Sequence, residues 1–337
     1  MSAPAIEIAV TAGRRRSLIG AGWPGFAIRR AGGLLVSGLL LVVVTFLMVP
    51  LIPGDPARAI AGTNANPATL AAIRARIGLD EPMPLRFVHY LGDLASGRFG
   101  TSFRFNTPVS EILATRLPYT LQLTVPAVAL ALLVAIPTGM TVGVLTRGGR
   151  RRWLDVGFGT IAGLLAAAPV YVVGTLLVVA FSIGLHLLPA GGATTPQALV
   201  LPIAALALGP AFAIARVVRA ETVTIIAQDY LRTARGHRLP PVRLYLRHAL
   251  PNLMTSVLTL TGLVLTSMLG GTIIIENVFN YPGLGTEVVH AIIDKDYPVI
   301  QGIILVVGLI ALLVNLLVDV VLGVIDPRTL EGSLRAH

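Results

Sequence analysis

From Val156 to Ala215 the chain carries no Asp, Glu, Lys or Arg, and no other feature limits its folding more. A helix needs about 20 apolar residues to cross the hydrocarbon core of a bilayer, so this run is too long for one crossing. Leu188-Pro-Ala-Gly-Gly-Ala-Thr-Thr-Pro196 supplies a turn that divides it into two spans. The same criterion places other spans at Ala31 to Ile52, between Arg116 and Arg147 (centred on Leu121 to Leu145), from Asn252 to about Ile275, and from Val299 to Ile325. The expected fold class is therefore an all-α polytopic membrane protein with six transmembrane helices. Composition agrees: with 55% hydrophobic and 12% charged residues, too few polar side chains remain to cover a water-soluble surface.

These spans imply a cytoplasmic tail over 1–30, a first span over 31–52, an extracytoplasmic loop over 53–117, a core over 118–325 and a second cytoplasmic tail over 326–337. Arginine placement sets the sidedness. Arg14, Arg15, Arg16, Arg29 and Arg30 precede the first span, and Arg147, Arg150, Arg151 and Arg152 join the second to the third. Arg216, Arg219, Arg232, Arg235, Arg238, Arg243 and Arg247 flank or occupy the connection between spans four and five. Basic loops stay on the cytosolic side, so both termini are expected there. The first apolar run is longer than the core of a secretory signal and reads as a retained span. Pro126, Pro137, Pro169, Pro202, Pro210 and Gly270-Gly271 mark kinks or close helix approaches, with hinge motion as the alternative.

Several function classes drop out. The 26 basic residues include one lysine, Lys295, which lies in Asp-Lys-Asp and follows no glycine-rich loop, so a Walker A motif cannot be formed. Any ATP must be handled by another chain. The absence of cysteine removes disulfides and thiolate metal sites. His89 and His186 have no second ligand at metal-binding spacing, and no metal or cofactor is expected in the chain. The +10 charge is explained by topology, without the aromatic and basic pattern of a nucleic-acid surface. Neither an H-E-x-x-H nor a G-x-S-x-G string occurs, which argues against a membrane protease. An ion-coupled carrier would call for acids near the midplane or paired interrupted helices.

The stretch from Glu221 to Asn252 fits two short helices separated by Gly236 and Pro240-Pro241, with Arg243 and Arg247 on one face of the second. Its Asp229-Tyr-Leu-Arg-Thr-Ala-Arg235 and Leu246-Arg-His-Ala-Leu-Pro-Asn252 resemble the coupling loop of ABC-transporter permeases of the dipeptide, oligopeptide and nickel type. Phe26-Ala-Ile-Arg-Arg30, Pro53-Gly-Asp-Pro-Ala57, Gly78-Leu-Asp-Glu-Pro82, Arg86, Phe99-Gly-Thr-Ser102 and Arg116-Leu-Pro118 resemble that family's opening segments. Glu276-Asn-Val-Phe-Asn-Tyr-Pro-Gly-Leu-Gly285, Asp296-Tyr-Pro298, Asn315-Leu-Leu-Val-Asp319 and Asp326-Pro-Arg328 resemble its closing ones.

The resemblance implies a type I importer permease fold in a bacterial cytoplasmic membrane. It implies a second homologous permease subunit, two ATPase subunits carrying ATP and Mg2+, and an extracytoplasmic solute-binding protein. The implied cargo is a di- or oligopeptide, with nickel complexes, haem or glutathione as alternatives. It also implies that Asp229, Tyr230, Arg232, Thr233, Ala234, Arg235, Leu239 and Pro240 contribute to the ATPase-coupling loop. The family's glycine falls at Arg238 here, and Gly236 stands two residues earlier, so the turn is built differently.

Three polar features complete the reading. Asn66-Pro67 starts a short external helix with Leu70, Ile73 and Ile77 on one stripe, suited to the lipid surface or to a binding protein. Asp319 is the deepest acid in any span, with Asn315 one turn earlier on the same face. Its nearness to the cytosolic end suits a structural contact better than proton transfer. Glu276 and Glu221, at span ends, are expected to need no special role.

Overall fold

The computed structural model describes residues 18–51, 56–61, 66–236 and 240–325. The segment 53–55, Arg14 to Arg16, Arg238, Leu239 and the C-terminal segment 326–337 lie outside these. Among the described residues the architecture is helical, with a single bridge between Thr101 and Pro108. The helices are α1 (Leu18–Leu51), α2 (Pro56–Ala61), α3 (Pro67–Arg76), α4 (Met83–Ala95), α5 (Val109–Leu145), α6 (Arg152–Ala167), α7 (Val170–Leu177), α8 (Val200–Ile226), α9 (Asp229–Gly236), α10 (Pro241–Leu244), α11 (Leu250–Val278), α12 (Leu284–Asp294) and α13 (Tyr297–Ile325).

Among the described residues five helices are long and apolar enough to span a membrane, and a bent helix pair makes a sixth if its two arms form one span. α6 and the run Val170–Gly184 meet at 101°. The cause is local. Proline disfavours helical geometry in the residue before it, and Ala168 is extended at φ −66° and ψ 128° ahead of Pro169. The run then ends in a π turn over Val178–Gly184.

Other helices overrun the expected boundaries. α1 has 34 residues and α5 has 37, against about 20 needed for a crossing. α5 begins at Val109, within the stretch assigned to the external loop, and carries Glu111 and Arg116. Absence of charge reports the lipid-embedded part of a helix, not its ends, because a helix projecting into water accepts charged residues.

α5 and α8 form the heart of the bundle. Ala127, Ala131, Ala135, Gly139 and Gly143 recur every fourth residue on α5 and are all buried. They bring the α5 backbone against α8. A Cβ on Gly139 would lie 2.5 Å from the Ala215 carbonyl oxygen and 2.7 Å from the Val218 side chain, and one on Gly143 would lie 2.9 Å from Thr222 Cβ. In lipid, where apolar burial gives helices little reason to associate, such close contact supplies much of the attraction.

α1 stands at the periphery and leans on α13. Leu41 fills the space over Gly308, Gln301 Nε2 donates to the Thr45 carbonyl at 3.0 Å, and Arg30 pairs with Asp319 at 2.6 Å. Between α2 and α5, Asn66 caps α3 by accepting from the Thr69 N–H at 2.7 Å. α4 was not foreseen, yet Phe87, Tyr90, Leu91 and Leu94 form its inward stripe. Phe87 meets Phe46 of α1 edge-to-face and Tyr90 lies tilted against it, with ring centroids 5.1 and 5.6 Å apart.

Candidate functional site

The expected coupling loop begins on the last turn of α8. Ala227 and Gln228 close α8 with backbone bonds to Thr224 and Ile225, and α9 follows at once. Asp229 in its first turn suits the positive end of the helix dipole. Leu231 points inward and is 0% exposed, in one cluster with Ile225 of α8, Leu244 of α10, and Leu253 and Val257 of α11. Tyr230 is 40% exposed, and its hydroxyl oxygen accepts from Asn252 Nδ2 at 2.7 Å. Asn252 also donates to the His248 carbonyl at 3.1 Å. Thr233 is exposed and donates to the Asp229 carbonyl, and Pro240 is exposed. The side chains of Arg232, Ala234 and Arg235 lie outside the described residues, although their backbone belongs to α9.

The second half of the loop is not a separate helix. α10 passes through a π turn over Tyr245–Ala249 straight into α11, so span five begins well before Asn252. Arg243 and Arg247 are both exposed. Beside this surface Arg219 of α8 pairs with Asp155 of α6. α9 is thus a one-helix platform resting on the ends of α8 and α11, with one face buried and the other open.

The opposite end of the molecule holds a polar hub that sequence reasoning missed. Glu276, expected to need no special role, is 0% exposed. Its carboxylate accepts from Thr120 Oγ1 at 2.6 Å, from the Gly285 N–H at 2.6 Å and from the Thr286 N–H at 3.2 Å. Thr120 Oγ1 in turn accepts from the Leu284 N–H at 2.9 Å. A carboxylate therefore seats the start of α12 and ties it to α5 and α11. Gly283 and Gly285 are required there, because a Cβ on either would run into Glu276. Nearby, Tyr281 donates to Gln122 Oε1 at 3.0 Å, and Arg116 pairs with Glu287 at 3.1 Å. Asp296 accepts from Ser102 Oγ at 2.5 Å and from the Phe103 N–H at 3.1 Å. Burial and the neighbouring Tyr119 and Glu276 push the Tyr281 hydroxyl pKa up.

On α13, Asn315 faces α11 and Asp319 faces α1. Asn315 Nδ2 donates to Thr266 Oγ1 at 3.2 Å, and Asp319 accepts from Arg30. Among the described residues no group of His, Asp and Glu is arranged to hold a metal ion.

Comparison with known proteins decides the family. Residues 135–331 match the binding-protein-dependent transport system inner membrane component, and residues 25–124 match the N-terminal membrane component of the same kind of system. The chain belongs to this permease family. It is 39% identical over 302 residues to the glutathione transport system permease protein GsiC of Salmonella choleraesuis, covering 90% of this chain and 97% of that protein. The Escherichia coli K12 protein of the same name is 38% identical over 302 residues, with the same coverage. Among solved structures, the inward-facing MetNI methionine ABC transporter matches with a TM-score of 0.56 at 17% identity, covering 64% of this chain and 97% of the matched chain. That likeness is one of fold. The chain is a multi-pass permease subunit of an ABC importer, with the type I importer fold, in the bacterial inner membrane.

Proposed function

We propose that this permease forms half of a translocation pathway for small peptides, pairing with a second homologous permease, two ATPase subunits and an extracytoplasmic solute-binding protein. The observation that carries the reading is the seating of α9: one face is locked to α8 and α11 through Leu231, and the other is open at Tyr230 and Thr233. An ATPase that grips the open face moves two spans at once. ATP and Mg2+ act on the ATPase subunits, and the permease does no covalent chemistry. ATP-driven closure of the ATPases pulls on α9, and a two-state rearrangement exposes the shared cavity to one side and then the other.

The docking face comprises Tyr230, Thr233 and Pro240, with Asp229, Arg232, Ala234, Arg235 and Leu239 completing it. Asn315 and Asp319 serve as intramembrane contacts. The relatives named for glutathione, itself a tripeptide, support peptide-class cargo. Nickel complexes and haem remain the alternatives within such systems. The test is to purify the assembled complex with its binding protein and identify the bound ligand by mass spectrometry. A peptide or glutathione is expected, together with vanadate-sensitive uptake that survives ionophores. A pulldown lacking any ATPase subunit, or uptake abolished by ionophores alone, overturns the reading.

A further inference from the structure

From Ala31 to Leu51 α1 carries no charged residue. At 1.5 Å per residue this run measures about 30 Å, the thickness of a bilayer's hydrocarbon core. Arg30 and Leu51 therefore mark its two faces, and Phe46, about 7.5 Å short of Leu51, lies within the acyl chains. Phe87 and Tyr90 of α4 meet Phe46 with ring centroids 5.1 and 5.6 Å away. That contact holds α4 at the bilayer face opposite Arg30, although its 13 residues are too few to cross.

At about 100° per residue, α4 has three faces. One is the aromatic stripe on α1. A second carries Arg86, His89 and Asp93 and opens, together with Glu81, into a polar cavity of about 390 Å³. The third bears Pro84, Val88 and Ala95 at i, i+4 and i+11, all exposed, with Val88 at 60%. Val88 stands about 140–160° around the helix from Asp93 and Arg86, so the apolar and polar flanks point nearly opposite ways.

We propose that the Pro84–Val88–Ala95 face docks on the lipid of the leaflet opposite Arg30, with α4 lying in the bilayer plane as an interfacial helix. Two observations select lipid as the occupant. The first is depth: the rings that fix α4 reach a residue of α1 that is already within the acyl chains. The second is continuity, because Val44, Leu47 and Leu51 are exposed on the same stretch of α1, and lipid therefore borders the place where α4 is attached. An amphipathic helix at such a boundary sinks its apolar flank about 5–10 Å into it. The polar cavity then faces water, and α4 sets its height above the bilayer.

The experiment uses the whole complex in phosphatidylcholine liposomes. This chain has no cysteine, so the wild-type complex gives the background of the partner subunits. Spin labels go on Val88→Cys, Ala95→Cys and, on the polar face, His89→Cys. Labels at 88 and 95 are expected to meet oxygen more readily than a water-soluble nickel chelate, at a depth of about 5–10 Å below the phosphates. The label at 89 should show the reverse preference. The unsubstituted complex supplies a second readout: phosphatidylcholine carrying a diazirine high on one acyl chain should cross-link within residues 83–95. Readier access of the chelate to position 88 overturns the proposal, as does the lack of lipid adducts in that segment. A label at 88 shielded from both reagents overturns it too, since a partner subunit would then cover the face.

Discussion

Asn252 donates a 2.7 Å hydrogen bond to the phenolic oxygen of Tyr230, tying the exposed α9 to the first turn of α11. A group expected from resemblance to face a partner is thereby also a strut within its own subunit. Tyr230→Phe keeps the ring and removes the acceptor, at a cost of about 1 kcal/mol to the bond network. The complex should assemble, while transported substrate per ATP hydrolysed falls. Measuring uptake and phosphate release in the same proteoliposomes separates this outcome from simple loss of assembly.

Leu231 is the inward anchor of the same helix. Leu231→Ala removes a fully buried side chain and should destabilise the packing of α9 by about 2–5 kcal/mol. Co-purification of ATPase subunits should drop sharply, with total permease in the membrane much less affected. Unchanged ATPase recovery would show that α9 does not need this anchor.

Gly139 and Gly143 set the close contact between α5 and α8. Gly139→Val forces its side chain against Ala215 and Val218, an overpacking that costs about 1–3 kcal/mol or more. Gly157, where a Cβ meets nothing within 4 Å, is the matched control. Membrane-integrated protein measured by fluorescence-detected size exclusion should fall for the first variant and hold for Gly157→Ala.

Glu276→Ala leaves the Gly285 and Thr286 N–H groups without their acceptor, a penalty of about 1–3 kcal/mol for each group that stays dry. α12 should loosen from α5. Faster protease cleavage or faster hydrogen exchange over residues 284–294 would report it, and Glu276→Gln should give a smaller change because its amide oxygen still accepts.

Tyr90, packed on Phe46, has its hydroxyl pKa pushed up by burial from 10.0 to about 12. Above the ordinary value the unfolded chain loses this proton while the folded chain retains it, so stability declines as pH rises from about 10 to about 12. Tyr90→Phe should show a shallower decline in melting temperature over that window, and an identical slope would exclude the contribution.

The large organisation was open to sequence reading because a bilayer imposes a simple rule. Long apolar runs became spans, and Asn66-Pro67 started α3 as the proline and capping chemistry required. Helix ends were hidden because Glu111 and Arg116 lie on a helix that projects beyond the lipid. The 101° break at Pro169 was signalled by a proline but not by its size, which depends on Ala168 turning extended. Glu276 was misread because its position at a span end implied solvent, and only the fold brings Thr120 and the start of α12 around it. The α5 stripe of alanines and glycines was visible in principle, as its period of four is written in the sequence. The turn at Arg238 lies outside the described residues.

The first span rests chiefly on the last. During synthesis α1 therefore enters the bilayer long before Gly308, Gln301 and Asp319 exist to receive it. Until α13 leaves the ribosome it has only the α4 rings against Phe46 to hold it, so its final docking joins the first span to the last. A nascent permease truncated before α13 would keep a first helix stripped of its main lateral support, a state open to membrane quality-control proteases.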